Sequence, residues 1–296
     1  MRVLVLGSSG QVAMALAALR AHGFEVVCAG RPSLDLTMPA SIDAAIATHR
    51  PDVVVNAAAY TAVDRAESEP DAAHALNATG AGDSAAAARK VGAAFIHLST
   101  DYVFDGTKPA PYREDDAPHP LSVYGQSKLA GELAVTAAHQ DAIVLRTSWV
   151  YAAHGANFVR TMLRLAGEGR TVRVVDDQIG APTSAGAIAD AILSLFRQMK
   201  GRTLPGRGVF HLTCGGETSW CGFARTIFAA SAARGGPTAD VTPISTAEYP
   251  TAARRPANSR LDCTKLSQTF GITLPDWREA LEPVMDVLVR PLRPLR

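Results

Sequence analysis

Through the first two-thirds of the chain, short apolar runs alternate with segments whose apolar residues recur every three or four positions. RVLVL (2–6), EVVCAG (25–30), DVVVNAAA (52–59), AFIHLST (94–100) and AIVLRTSWVY (142–151) read as strands, the last running into a loop. Between them, residues 12–23, 41–50, 71–92 and 127–138 carry helical spacing. Fully apolar strands alternating with amphipathic helices predict a parallel sheet covered on both faces. Right-handed crossovers make that sheet doubly wound, an α/β fold of the Rossmann type. Beyond residue 151 the pattern loosens into helices over 157–169, 185–200, 220–235 and 276–290, with GVFHLT (208–213) returning to the sheet as a strand. The expectation is a dinucleotide-type domain over 1–148 and 184–214, and a smaller, mostly helical substrate lobe over 149–183 and 215–296.

Composition narrows the partners. The 296 residues are 47% hydrophobic and carry a net charge of +1, enough for a large core and too balanced for nucleic acid or an anionic membrane. No segment approaches the ~18 consecutive apolar residues that read as a membrane span. The apolar start is five residues long and ends in glycine, so it reads as a strand rather than a leader. Four cysteines without metal spacing read as small buried hydrophobes in a reducing compartment, so the expected location is the cytoplasm.

In doubly wound sheets, ligands bind beyond the carboxyl ends of the strands. Three strands here end in polar or small residues: GSSGQ, NAAAYT and STDY. The first strand meets its helix through Gly7-Ser8-Ser9-Gly10-Gln11-Val12-Ala13, a GxxGxxA turn. Glycine admits a pyrophosphate to the backbone, and a helix N-terminus offers free N–H groups to it. The second strand ends at Arg31, a cation suited to a ribose 2′-phosphate and so to NADPH, with NADH a second candidate; a solvated loop charge is the alternative reading. Asp35-Leu36 follows, a pair that lies against adenine in related folds. Ala58, Ala59 and Tyr60 end the third strand, where small residues leave room for a cofactor or simply for a packed helix. Thr100, Asp101 and Tyr102 cluster at the end of the fourth. Asp105-Gly106 behind them fits a plain surface turn, and the polar cluster fits a substrate-binding edge.

Tyr124 and Lys128 form a YxxxK pair, on one face of a helix. An ammonium beside a phenol is expected to lower its pKa from about 10, and the phenol can protonate an alkoxide as hydride reaches carbon. Thr100 offers a hydroxyl to polarise the carbonyl. Asp101 is followed by Tyr102 rather than by glutamate, so the acid pair that would drive sugar dehydration is missing.

GSSGQV, NAAAYTAVDRAESEP, STDYVFDG, YGQSKLAGE, RTSWVY, DDQIGAPTSA and RRPANSRLD together resemble the extended short-chain dehydrogenase/reductases, and within them the dTDP-4-dehydrorhamnose reductase family. The resemblance implies reduction of dTDP-4-dehydro-L-rhamnose to dTDP-L-rhamnose by NAD(P)H. It implies Tyr124 as proton donor with Lys128 and Thr100 beside it. Cofactor contacts fall on Gly10, Gln11, Val12, Asp35, Leu36, Ala59 and Tyr60, and sugar contacts on Thr100, Asp101 and Trp149. Trp149 fits equally a core tryptophan at a strand end. Arg255 and Asn258, in RRPANSRLD, are the expected diphosphate contacts, with a surface loop as the alternative. A magnesium-bridging glutamate found in some family members corresponds to Ala15, so no metal is expected. The partner is a nucleotide sugar, and the chain is expected as a monomer or weak homodimer. A sugar-nucleotide epimerase and a non-catalytic NADP-binding regulatory subunit remain open on the sequence.

Overall fold

The computed structural model describes residues 1–19, 23–169, 171–199 and 205–289. Its centre is a six-stranded, all-parallel sheet in the order β10-β5-β4-β3-β1-β2. These strands are β1 (Arg2–Leu6), β2 (Glu25–Ala29), β3 (Val53–Asn56), β4 (Ala94–Thr100), β5 (Ile143–Thr147) and β10 (Gly208–His211). The expected return of the 208–213 run to the sheet is therefore found, beside β5 with Phe210 opposite Leu145. Alternate residues of each strand face opposite sides, so β1 divides its side chains between two cores. Val3 and Val5 pack with helices α1 (Gln11–Ala18) and α8 (Ala185–Met199). Leu4 and Leu6 pack with α2 (Pro39–His49) and α5 (Gly80–Lys90). The sheet is thus doubly wound, and β1 lies where the winding reverses, between β2 and β3.

Between β3 and α5 run two short helices, α3 (Val63–Ala66) and α4 (Pro70–His74), then a π-helical turn at Ala75–Thr79. The helix expected over 71–92 is thus one near-continuous rod with a widened turn, a distortion that helical periodicity does not reveal. Helix α6 (Val123–Ala138) crosses from β4 to β5. The strand expected over 142–151 breaks after Thr147. Trp149 has φ +50°, and the chain leaves the sheet to form β6 (Val150–Tyr151) against β9 (Thr183–Ser184). The residues after β5 also hold α7 (Phe158–Gly167), α9 (Trp220–Ala232), α10 (Thr264–Phe270) and α11 (Trp277–Leu288). Two further ladders join β7 (Val172–Val175) to β12 (Val241–Ile244) and β8 (Ile179–Gly180) to β11 (Thr218–Ser219). This region is therefore less purely helical than expected, because two- and four-residue strands are too short to show a period of two. Residues 20–22, Lys200 and Arg290, which the expected helices included, lie outside the described residues.

Helix α6 approaches its neighbours through two glycines. A Cβ on Gly125 would overlap the Tyr102 carbonyl oxygen, and one on Gly131 the Asn77 carbonyl oxygen. Backbone does not yield as a flexible side chain does, so α6 is held at glycine distance from both. Gly131→Ala is expected to cost about 1–3 kcal/mol of stability, the usual penalty for overpacking, read as a lower urea midpoint at unchanged slope. An unchanged midpoint would show that the helix has room to move.

Candidate active site

The carboxyl edge of the sheet gathers most of the residues singled out in the sequence. Gly7, with φ +113°, turns the chain out of β1, and a Cβ there would stand 3.3 Å from the Ala58 nitrogen. Gly10 is the N-cap of α1, with no side-chain cap and no acid in the first turn. The first N–H groups of α1 therefore lack a side-chain partner, and the glycines keep the space before them open, which fits an anionic pyrophosphate. A Cβ on Gly30 would crowd Ser8, so the ends of β1 and β2 are equally tight. Arg31, Asp35 and Leu36 follow β2. Arg31 is exposed and Leu36 is buried against α5. The Asp35 carboxylate accepts bonds from the Thr37 N–H (2.9 Å) and hydroxyl (2.7 Å), which hold its pKa below the usual value.

Two expected cofactor contacts are tied down by the chain itself. Gln11 donates through Nε2 to the Val150 carbonyl (3.3 Å), and its Oε1 accepts from Asn157 (2.9 Å). Its side chain thereby joins the glycine turn to the start of α7. The Tyr60 hydroxyl donates to Glu69 (2.7 Å), while its backbone N–H donates to Asn77 Oδ1 (2.7 Å). Asn77 sits in the π-helical turn and also donates to Ser127 of α6 (2.9 Å). The end of β3 and the YxxxK helix are thus held together by one buried amide. Val12 is buried in the core beneath the turn.

The Ser122 hydroxyl caps α6, accepting from the Gly125 N–H at 3.2 Å, so Tyr124 lies in the first turn and Lys128 one turn on. Thr100 ends β4 and caps the following 3₁₀ turn, its hydroxyl accepting from the Tyr102 N–H (3.2 Å) and donating to Asp101 Oδ1 (3.1 Å). The half-buried Tyr124 phenol lies beside Thr100, close enough for that hydroxyl to act on its proton, and its ring meets Tyr102 edge-on at 5.6 Å. Thr100, Asp101, Tyr102, Tyr124 and Lys128 therefore form one constellation.

Its electrostatics differ from the expectation. Burial pushes the Tyr124 phenol up to about 12, and the negative Asp101 adds to this, against a smaller opposing pull from the nearby Thr100 hydroxyl. The expected acidification by Lys128 is not found. The Lys128 side chain is itself buried, donating to the Leu98 carbonyl at 2.7 Å, and burial lowers its pKa to about 8. Taking either charge out of water outweighs what each would do for the other. The Thr100 hydroxyl donates to Asp101, so in this structure its hydrogen is engaged within the site. Asp101 is 3% exposed, its Oδ2 has no hydrogen-bond partner, and burial raises its pKa to about 7 against the pull of Ser259 and Thr100.

Three residues expected to touch substrate are found in other company. Arg255 pairs in bidentate fashion with Asp64 of α3 (3.1 and 2.7 Å), so the fork expected for phosphate holds a carboxylate beside Tyr102. The Asn258 amide is spent within the chain: it donates to the Lys108 and Ala110 carbonyls (2.6 and 2.9 Å) and accepts from Arg260 (3.0 and 2.8 Å). It is a loop tether, and its neighbour Ser259 is the residue that reaches Asp101. Trp149 stacks on Trp220 with ring centroids 3.5 Å apart and planes within 10°, half-buried at the end of β5. Gly180 also lies close against its indole, so Trp149 is packed within the chain as well as half-exposed. Sequence reasoning missed His97, Asn77, Glu132, Arg146 and Trp220. Each acts through a partner distant in sequence, which even Glu132 and Arg146, inside YGQSKLAGE and RTSWVY, do not reveal.

A family model described as the RmlD substrate binding domain matches residues 1–290. A dTDP-4-dehydrorhamnose reductase of Sinorhizobium fredii is 50% identical over 281 residues, 95% of either chain. The crystal structure of a dTDP-4-dehydrorhamnose reductase from Clostridium acetobutylicum is similar with a TM-score of 0.90 and 37% identity, over 97% of this chain and 99% of that one. A Bacillus anthracis dTDP-4-dehydrorhamnose reductase, solved in complex with NADP, has a TM-score of 0.89 and 36% identity, over 96% and 98% of the two chains.

The site is braced from behind by a buried ion pair. Arg146 of β5 grips Glu132 of α6 (2.8 and 2.6 Å), and Ser99 of β4 donates to the same carboxylate (2.5 Å). Both side chains are at most 4% exposed. Glu132→Leu leaves a buried guanidinium unpaired and is expected to cost about 3–5 kcal/mol, measured by urea unfolding. Adding Arg146→Leu should recover most of that loss. A single variant as stable as the parent would show that the pair is not the brace.

Proposed function

This chain belongs to the dTDP-4-dehydrorhamnose reductase family, and from that premise we propose how its own residues carry the reaction: reduction of dTDP-4-dehydro-L-rhamnose to dTDP-L-rhamnose, the final step of dTDP-L-rhamnose biosynthesis. The observation that carries the reading is the half-buried Tyr124 phenol beside Thr100 at the carboxyl end of β4, with Lys128 one turn behind it. The glycine turn and the open N-terminus of α1 fit the diphosphate of NADPH, with Ala58, Ala59 and the Tyr60 backbone alongside. On this reading the exposed Arg31 meets a 2′-phosphate, and the segment at Asp35 and Leu36 lies along the adenine. The bound dinucleotide supplies the hydride that reaches the keto carbon of the sugar.

Every other part is played by side chains. Tyr124 remains protonated at neutral pH and gives its proton to the oxygen as negative charge develops there. A phenol at about 12 is still a far stronger acid than an alcohol, whose pKa lies near the about 15.7 of water. Lys128 holds the region behind the phenol and offers a donor to the cofactor ribose. Thr100 fixes the rotamers of Tyr124 and Asp101. Asp101 Oδ2, which has no partner in the chain, takes a sugar hydroxyl. Tyr102 and Trp149 bound the sugar with their rings. Arg255, already paired with Asp64, approaches the diphosphate as one member of an ion pair rather than as a free fork. Residues 149–183 and 215–296 act as the substrate lobe, and 1–148 with 184–214 as the dinucleotide lobe. The four free cysteines suit a reducing cytoplasm.

Tyr124→Phe removes the proton donor and little else. Its kcat for NADPH oxidation with the keto-sugar nucleotide should fall about 10²–10⁴-fold, with NADPH affinity by fluorescence titration unchanged. A variant within about tenfold of the parent, a difference of about 1.4 kcal/mol in barrier, would contradict the assignment. The pH dependence follows from Lys128. Burial disfavours its charged form, so the proton leaves at about 8 rather than near 10.5, and kcat/KM should fall as pH rises through that value. A profile flat to about pH 10, the range of an ordinary lysine, would oppose this.

A further inference from the structure

His97 lies inside β4, fully buried, and the reaction as described makes no use of it. Its surroundings fix where its hydrogen sits. The neighbouring strand β3 places Asn56 opposite it. The Ala58 N–H donates to Asn56 Oδ1 at 3.2 Å. A backbone N–H can only donate, so the oxygen of this amide must face Ala58 and its Nδ2 must face the imidazole. Nδ2 stands 3.2 Å from His97 Nδ1 and is itself only a donor, so Nδ1 must present its lone pair. A neutral imidazole then carries its hydrogen on Nε2. That nitrogen is 3.4 Å from Lys128 Nζ.

Two N–H groups facing each other at that distance repel. A neutral amine turns its lone pair towards the imidazole N–H, and still donates to the Leu98 carbonyl at 2.7 Å. We propose that His97, its tautomer locked by Asn56, is a positioning residue for Lys128 that aims the ε-nitrogen and biases it towards the uncharged amine. The bias works beside the other groups around the lysine. Among the described residues, the charge that favours its ammonium form is Glu132, one turn along α6. Arg146 of β5 and Ser99 of β4 hold that carboxylate. Asn77 and Ser127, from the π-helical turn and α6, are neutral, and Tyr124 stays protonated. Asp101 and Tyr102, in the Tyr124 constellation, are further titratable groups of the site, with the Arg255–Asp64 pair beside Tyr102. An imidazolium is disfavoured, since burial and Lys128 both depress the proton affinity of His97.

The inference rests on the reductase reading for its kinetic test but not for its structural one. His97→Leu and Asn56→Leu each abolish the lock without adding a charge. The alkaline limb of kcat/KM, and of NADPH binding without sugar, should move up by about one pH unit or more in both, a tenfold shift in proton affinity. Asn56→Leu should show it although Asn56 does not touch the lysine. A lowered rate with the limb unmoved would reduce His97 to packing and overturn the proposal. On the unmodified protein, ¹⁵N NMR of the imidazole should show a protonated Nε2 and a bare Nδ1. The opposite tautomer, or an imidazolium at pH 7, overturns the proposal even if both variants fail to fold. Activity surviving in Tyr124→Phe would instead overturn the reductase mechanism and leave the tautomer result standing.

Discussion

The arrangement depends on how closely helix α6 lies against the carboxyl end of β4. Gly125 permits that approach, since its Cβ would run into the Tyr102 carbonyl oxygen, and Gly131 permits the matching approach to the π-helical turn at Asn77. The Glu132–Arg146 pair and the Ser99 hydroxyl fix it, tying α6 to β4 and β5 through groups removed from water. A buried ion pair adds little net stability over an apolar replacement but is expensive to leave half-made. It therefore penalises any helix position that breaks it. With α6 fixed, Tyr124 stands beside Thr100 at the strand end and Lys128 reaches the Leu98 carbonyl two residues before it.

The same closeness sets the chemistry. Burial dominates all three titratable groups at the centre, raising Tyr124 and Asp101 and lowering Lys128. Each shift favours the neutral form, as expected where water is excluded. A neutral phenol facing a developing alkoxide is a competent acid without a lowered pKa, because the alkoxide is the stronger base by far. In the proposed reaction the lysine therefore serves placement and donation more than acidification. Asn56 and His97 extend this control one layer behind the lysine, where no substrate atom reaches.

Much of the fold was legible because a parallel sheet buried on both faces must be written in continuous apolar runs, and β1, β3 and β4 are such runs. The three carboxyl edges were legible because polar residues after such runs have few other reasons to be there, and YxxxK because helical spacing is local. The rest lay in pairings between distant residues. Asn56 meets His97 across 41 positions and Asp64 meets Arg255 across 191. Nothing in either neighbourhood marks its partner. Arg255 and Asn258 were read as free donors since a sequence shows a side chain's capacity but not its engagement. His97 sits unremarked inside an apolar run, and its partners appear only once β3 and α6 are laid beside it.

The most direct measurement is the crystal structure of this protein with NADP and dTDP-L-rhamnose together. The account predicts the Tyr124 hydroxyl within about 2.6–3.2 Å of the sugar O4, the reach of a proton donor, with C4 turned to the nicotinamide. A sugar O4 bonded to another donor, with Tyr124 out of reach, would contradict it.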